Sequence, residues 1–410
     1  MTPTDTLPVR HRFDTSLRHA KEILGTGGYA GPRRKGRCMT DPLLPPAAQA
    51  VPVPGRRRIL GYCASLPLSG GLGARLLAPA AVRLKPLSGV AQPHPALPHG
   101  ATLLIGGPPG GATQRWAGLV APALTRGLPP GSRIALDSVG GLDGVTAANR
   151  FAAAPAPDGS RLLFTPGAAI QAWLVGDKRA RFDVGTWVPV LAAEAPGVLM
   201  TRVPLARLRA GLAVRVAVDR LPGPDLAALL AVHLLGAPPL PVFGLPRAAA
   251  EAALRRGAVD VILLTGPGVA ARVARLERAG LKPLASFGMS DVGGQLQRDP
   301  MFPSLPHLGA LSVQDQGGLF AAWRASALAA QLVFATTLPS LTPAALISLW
   351  RGAAGAAMGD PGLTAALSAD GVRPLVGPAA LTAERQLAVP APVLLALRQW
   401  LSQRRGWHSG

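Results

Sequence analysis

Between the apolar run Leu103–Ile105 and a helical pattern stands Gly106-Gly107-Pro108-Pro109-Gly110-Gly111-Ala112-Thr113-Gln114, the stretch of this 410-residue chain whose residue types bear most directly on chemistry. Six consecutive Gly and Pro residues end a strand abruptly. The pattern Trp116, Leu119, Val120 and Leu124 then forms an apolar helical stripe, with Thr113 placed to cap it. A glycine-rich turn lets main chain approach a ligand closely, and the helix start behind it offers unpaired N–H groups at a positive dipole end. The chemistry this favours is capture of an anionic group, a carboxylate or a phosphate. A tight reversal of the chain would need the same glycines, so the stretch alone does not establish a site. Its glycine spacing does not match the dinucleotide fingerprint, and no Gly-Lys-Ser/Thr follows to make a phosphate-binding P-loop.

Two further stretches could present amides in the same way. Gly141, Leu142, Asp143 and Gly144 lead into a helical pattern at Val145, and Thr165-Pro166-Gly167-Ala168 follows the apolar run Arg161–Phe164. Gly141–Gly144 also reads as a plain tight turn. Pro157-Asp158-Gly159 is a turn to which no ligand is assigned, and Asp260 reads as a structural acid.

Catalytic chemistry has little to draw on. Both cysteines, Cys38 and Cys63, lie before residue 100, and beyond it only His233, His307 and His408 remain, far apart. No nucleophile-elbow pentapeptide occurs, no metal-ligand spacing is visible and no cofactor motif is present. Asp219 and Asp225 could pair as carboxylates, yet nothing places a substrate between them. The chain reads as a non-enzyme without metal or cofactor.

The formal charge is +21, and about half of it falls in the first hundred residues. Beyond them the arginines are scattered with no aromatic interleaving, which speaks against nucleic acid as a partner. Residues 1–55 are rich in Pro, Gly and Arg without periodicity and read as a disordered extension, with Met39 an alternative start that would make 1–38 an over-long reading. Arg56-Arg57-Arg58-Ile59-Leu60 ahead of a modest apolar segment reads as a twin-arginine-type export signal over 56–91. Ala78-Pro79-Ala80 and Gly89-Val90-Ala91 are small-x-small cleavage candidates. Pro67, Pro79, Arg75 and the glycines make that segment a poor membrane span, so the expectation is export without an anchor.

The elements that must position these loops alternate. Strands are expected at Leu103–Ile105, Ile134–Asp137, Arg161–Phe164, Val188–Ala192, Val198–Thr201, Val214–Val218, Val259–Leu264 and Leu281–Ser286. Helices are expected at Thr113–Thr125, Val145–Ala154, Asp225–Leu235, Arg247–Arg256, Gly268–Arg278, Pro343–Met358, Pro361–Ala369 and Pro392–Arg404. Such alternation predicts an α/β protein with mainly parallel sheets.

In that setting Pro109-Gly110-Gly111, Asp137-Ser138-Val139-Gly140-Gly141, Pro157-Asp158-Gly159, Phe182-Asp183 with Trp187-Val188-Pro189-Val190, Gly257-Ala258-Val259-Asp260, Phe302-Pro303-Ser304-Leu305-Pro306, Leu338-Pro339 and Asp360-Pro361 occur in a characteristic order. By these pieces the chain from about Leu103 to Trp400 resembles the periplasmic solute receptors of tripartite tricarboxylate transporters, the Bug family. The resemblance implies a type II periplasmic-binding-protein architecture, with lobe one over 101–202 and 318–410 and lobe two over 203–317. It implies a monomeric receptor that holds a small carboxylate in the cleft and passes it to membrane permease subunits. The alternative is a non-transporting paralogue acting as an extracytoplasmic sensor or interaction protein. The residues expected at the ligand are Gly107, Gly110, Gly111, Ala112, Thr113, Gln114, Gly141, Gly144, Thr165, Gly167, Ala168 and Arg220.

Three features depart from the family's pattern. Gln114 stands where an Asp is usual, and Asp219-Arg220-Leu221-Pro222-Gly223-Pro224-Asp225 replaces small polar residues and glycines. Two acids there would repel a carboxylate unless Arg220 paired with it. The aromatic-plus-basic element has become Phe243-Gly244-Leu245, with Arg247 close behind.

Overall fold

The computed structural model describes Leu97 and residues 100–404 except 312, 314 and 316; the expected extension 1–55 and export signal 56–91 lie outside these residues. A first segment holds β1 (Ala101–Gly106), α1 (Ala112–Arg126), β2 (Ile134–Gly140), α2 (Val145–Ala153), β3 (Arg161–Thr165), α3 (Gly167–Val175) and β4 (Trp187–Glu194). A second holds β5 (Val198–Thr201), α4 (Leu205–Arg209), β6 (Val214–Ala217), α5 (Leu226–Leu234), β7 (Pro239–Val242), α6 (Arg247–Arg256), β8 (Val261–Leu264), α7 (Val269–Arg278), β9 (Lys282–Ser286) and the short pair β10 (Met289–Ser290) and β11 (Leu296–Gln297). The last holds α8 (Leu319–Gln331), β12 (Leu332–Pro339), α9 (Ala344–Ala357), α10 (Pro361–Ala369), β13 (Arg373–Val376), α11 (Pro378–Leu387) and α12 (Ala391–Ser402).

These strands form two main sheets, in the orders β13-β4-β12-β3-β1-β2 and β7-β6-β8-β5-β9. β1 and β3 are apolar runs buried along most of their length, as strands covered on both faces must be, whereas β2 at the edge is largely open to solvent. Trp116, Val120 and Leu124 of α1 pack on the first sheet, but Leu119, expected on the same stripe, is 41% exposed. Aromatic residues are scarce, and the few present are concentrated. Phe334 of β12 stacks on Phe164 of β3 at 4.7 Å and meets Trp116 at 5.8 Å, while Trp350 donates its indole N–H to the Gly159 carbonyl at 3.1 Å.

The chain first crosses between the sheets at residues 195–197. β5 pairs with β8 and β9, so Val198–Thr201 belongs to the second sheet although the expected lobe boundary fell after residue 202. Between Trp187 and Thr201 the apolar run is broken by Pro189, by Glu194 and by Pro196-Gly197, and none of these breaks by itself reveals a change of sheet. Three passing segments are tied side by side here. The Ala195 amide donates to the Gln331 carbonyl at 2.8 Å, the Phe287 amide to the Gly197 carbonyl at 2.7 Å, and the Gln331 side-chain amide to the Gly288 carbonyl at 3.1 Å.

Candidate functional site

Strand direction decides what faces what. β3 runs antiparallel to β12, whose first residue Leu332 enters directly from the crossing, so the carboxyl ends of β3 and its parallel neighbours β1 and β2 point toward the second sheet. In the second sheet β5 starts just past the crossing and pairs Val198 with Leu264, which turns the carboxyl ends of β8 and its parallel neighbours β6 and β7 back toward the first. Six loops therefore confront one another across a cleft, at the strand ends where open α/β sheets gather ligands.

On the first lobe three of these loops converge. A Cβ on Gly106 would stand 2.8 Å from Gly144 Cα and 3.3 Å from Thr165 Oγ1, and one on Gly144 would stand 2.7 Å from that same hydroxyl oxygen. Gly144 has φ of +80°, so its missing side chain is required by both conformation and space. Gly107, at φ +113°, approaches the buried Thr113 hydroxyl, 3.1 Å from where its Cβ would be. Gly106, Gly144 and Thr165 thus meet, and Gly107, next in the chain, meets Thr113; all five are buried. Ala112, Thr113 and Gln114 contribute amides that precede the first α1 bond, from Arg115 N–H to the Gly111 carbonyl at 3.1 Å.

Other expected residues behave differently. Gly111, not Thr113, is the N-cap of α1, and its amide donates to the Pro108 carbonyl at 3.0 Å. The Gly110 amide donates to Gln114 Oε1 at 2.6 Å, so the glutamine closes the turn on itself instead of reaching a ligand. Gly141 is exposed at φ +85°, and the amide of Val145 at the start of α2 is taken by Asp143 Oδ1 at 3.1 Å. Arg179 holds that aspartate from its other side at 2.8 Å. Gly167 is buried against the end of α8, and Ala168, beside it, is half-buried.

The second lobe differs most from expectation. The Asp219 amide donates to Asp225 Oδ2 at 2.9 Å, so the loop folds around its own carboxylate. Burial pushes the Asp225 carboxyl up to about 6; the Asp219 charge adds to this, while the Asp219 amide and the Arg247 cation act in the opposite direction. Arg220 is exposed, and among the described residues no ion pair joins it to either acid. The cation felt at Asp225 is Arg247 instead, from the start of α6. Nearby, Arg272 holds the loop after β8 in place, donating to the Thr265 carbonyl at 3.0 Å and to Glu251 at 2.8 Å. Burial raises Glu251, but its bonds to Arg272 and Arg275 outweigh that and leave it below the ordinary carboxylate range.

Asp225 carries a testable pH dependence. Between its ordinary 3.8 and about 6 the folded protein keeps a proton that the unfolded chain has released, so stability falls as pH rises through that window. Asp225→Asn keeps an acceptor for the Asp219 amide without the charge. Urea unfolding should find the variant more stable than the parent by up to about 3 kcal/mol at pH 8 and nearly equal to it at pH 4. A difference independent of pH would show that the carboxylate is not strained by burial.

Among the described residues no group of three or more His, Cys, Asp or Glu could hold a metal, and no helix is long and apolar enough to cross a membrane. No protein-family model matches the chain, and no curated protein matches it. Among solved structures the chain is similar to a TctC solute binding protein from Polaromonas, with 17% identity, TM-score 0.58, and 75% of this chain covering 99% of that one. It also aligns with MatC from Rhodopseudomonas palustris with bound malate, at 19% identity and TM-score 0.45 over 73% of this chain and 98% of the other. The periplasmic binding protein BugD aligns at 16% identity and TM-score 0.46, over 75% and 97%. The Polaromonas likeness shows the fold: two α/β lobes of the periplasmic-binding-protein type with a cleft between them.

Proposed function

We propose that this chain is a solute-binding receptor that captures a small organic carboxylate in the cleft. The observation that carries the reading is the convergence of Gly106, Gly144 and Thr165 beneath the start of α1, facing a second lobe whose loops present Arg247. Main-chain amides at a helix start favour an anion without any charged side chain, and the close glycines let the three loops pack together beneath them. The fold shared with the Polaromonas solute binding protein supports binding, not turnover, as the task of the cleft. In this reading the amides of Ala112, Thr113 and Gln114 meet the ligand from the lobe-one side, over a buried floor of Gly107, Gly144 and Thr165. The protein works outside the cytoplasm as a monomer and hands its ligand to the permease subunits of a tripartite tricarboxylate-type transporter.

Thermal unfolding against mono-, di- and tricarboxylates, with amines and neutral sugars as controls, tests this. A ligand at 100 times its Kd adds about 2.7 kcal/mol to stability, a readily visible shift. An unchanged midpoint across all the acids rejects capture of a carboxylate. The self-engaged loop from Asp219 to Asp225 favours a second reading, a non-transporting sensor, which predicts retention of a membrane partner by the unliganded protein.

A further inference from the structure

Arg247 carries a cation on which no acid of the described residues closes as an ion pair. It is the first residue of α6, so its cation sits at the positive end of that helix dipole, the unfavourable end for a base. Partial desolvation, and then the neighbouring Arg272 cation, lower its hold on its proton, while Glu251 and Asp225 act the other way. Neither acid closes on it. Glu251 is bonded to Arg272 and Arg275, and Asp225 is bonded to the Asp219 amide. Among the described residues Arg247 forms no ion pair within 4.0 Å, and the side chain is exposed.

Its position is nonetheless defined. One guanidinium nitrogen, Nη2, lies 3.1 Å from where a Cβ on Gly266 would stand. Gly266, at φ +83°, follows β8, and the Arg247 helix follows β7; both strands end toward the opposite lobe. The guanidinium therefore lies over the carboxyl ends of the second sheet, in a space that glycine leaves open. A planar cation so placed, with its donors uncommitted, matches a carboxylate in geometry and in charge.

We infer that Arg247, seated over Gly266, is the side chain of the second lobe that binds the carboxylate of the captured ligand and discriminates it from the neutral amide. This rests on the receptor reading above. It also explains how a loop holding two acids can border an anion site: Asp225 is occupied with the Asp219 amide, and the cation beside it is left for the ligand.

Calorimetric titration of the wild type, Arg247→Gln, Arg247→Lys and Arg220→Gln with succinate, glutarate and citrate, each beside its fully amidated analogue, tests the assignment. The wild type should prefer the acid over the amide. Arg247→Gln should weaken the acid by about tenfold to a hundredfold and leave the amide unchanged, as loss of a charge-assisted hydrogen bond predicts. Arg247→Lys should recover part of the loss, and Arg220→Gln should bind like the wild type. Circular dichroism and the unfolding midpoint of unliganded Arg247→Gln should match or exceed those of the parent, since a cation leaves a helix start. Acid binding by Arg247→Gln within twofold of the wild type overturns the role of Arg247 and leaves the receptor reading standing. A wild type that binds none of the three acids overturns both.

Discussion

Arg373→Ala is expected to cost about 3–5 kcal/mol of stability near pH 8. Arg373 and Glu194 are register partners on the adjacent strands β13 and β4, and their side chains form a close ion pair beside the crossing. The Glu194 side chain is only 8% exposed. Burial pushes its carboxyl above the ordinary range, Arg373 works against that shift, and the nearby acid Asp299 adds to it. Asp299 is itself 6% exposed and raised by burial, and Arg373 offsets that shift too. Removing the guanidinium leaves two acids in poorly hydrated positions with their shared counter-charge gone. Breaking a buried pair from one side is far more damaging than replacing both members, because the surviving charge stays desolvated.

The loss has a pH signature. Without Arg373 the folded-state pKa of Glu194 rises further, so the folded variant holds a proton that its unfolded chain releases, and its stability relative to the parent falls as pH rises. Urea unfolding at pH 5 and pH 8 should show the smaller deficit at pH 5. Adding Glu194→Gln should recover most of the deficit at pH 8. A loss under 1 kcal/mol at pH 8, or no recovery in the double variant, would show that the pair is hydrated and dispensable.

Gly167→Ala should be at least as severe, costing about 3 kcal/mol or more or preventing folding. Its new Cβ would lie 1.8 Å from the Ala329 carbonyl oxygen, 2.8 Å from that carbonyl carbon and 3.1 Å from Leu332 Cβ. The obstacle is main chain, which has no rotamer to change, so the start of α3 and the last turn of α8 would have to separate. A second glycine serves as the control. Gly118, inside α1, has nothing within 4 Å of its Cβ position, and Gly118→Ala should stabilise by roughly 0.5–1 kcal/mol through helix propensity alone. Denaturant midpoints of the two variants should move in opposite directions. Equal behaviour would mean that the contact between α3 and α8 is loose.

Gly167 also marks the limit of what local sequence reveals. A glycine opening a helix after a buried strand has the same neighbours in sequence whether it admits a ligand or another helix, and here it admits Ala329, more than a hundred and fifty residues away. Gly144 carries the same local signal, and it admits Thr165 and Pro166, only some twenty residues away. Elements with strong local markers were legible: β1, β3 and β5 as apolar runs, α6 between Pro246 and Gly257, and α10 behind Asp360-Pro361. β12 and α8 gave no such mark. Leu332 follows Gln331 with no Gly or Pro between helix and strand, so the run Leu319–Pro339 has no visible seam. β7 was hidden by Pro239 and Pro241, which an edge strand tolerates because no further neighbour needs their missing N–H. On the second lobe, Arg247 was visible in the sequence as a cation close behind Phe243-Gly244-Leu245. Its significance depends on Gly266, Asp225 and Arg272, which the fold brings in from other loops.

β12 lies between β3 and β4 in the first sheet, yet more than a hundred residues of chain, including the whole second sheet, separate it from either of them. Emerging from synthesis, β1 to β4 exist as an incomplete surface whose middle position is vacant until Leu332–Pro339 appears. The second sheet is uninterrupted in sequence, although its α5 shares a core with α8, which follows later in the chain. Distant pairings close slowly because loop entropy must be surrendered before contacts reward it. Assembly of the larger lobe thus has an obligatory late event, insertion of its central strand, and the chain remains unfinished for most of the time it takes to be made.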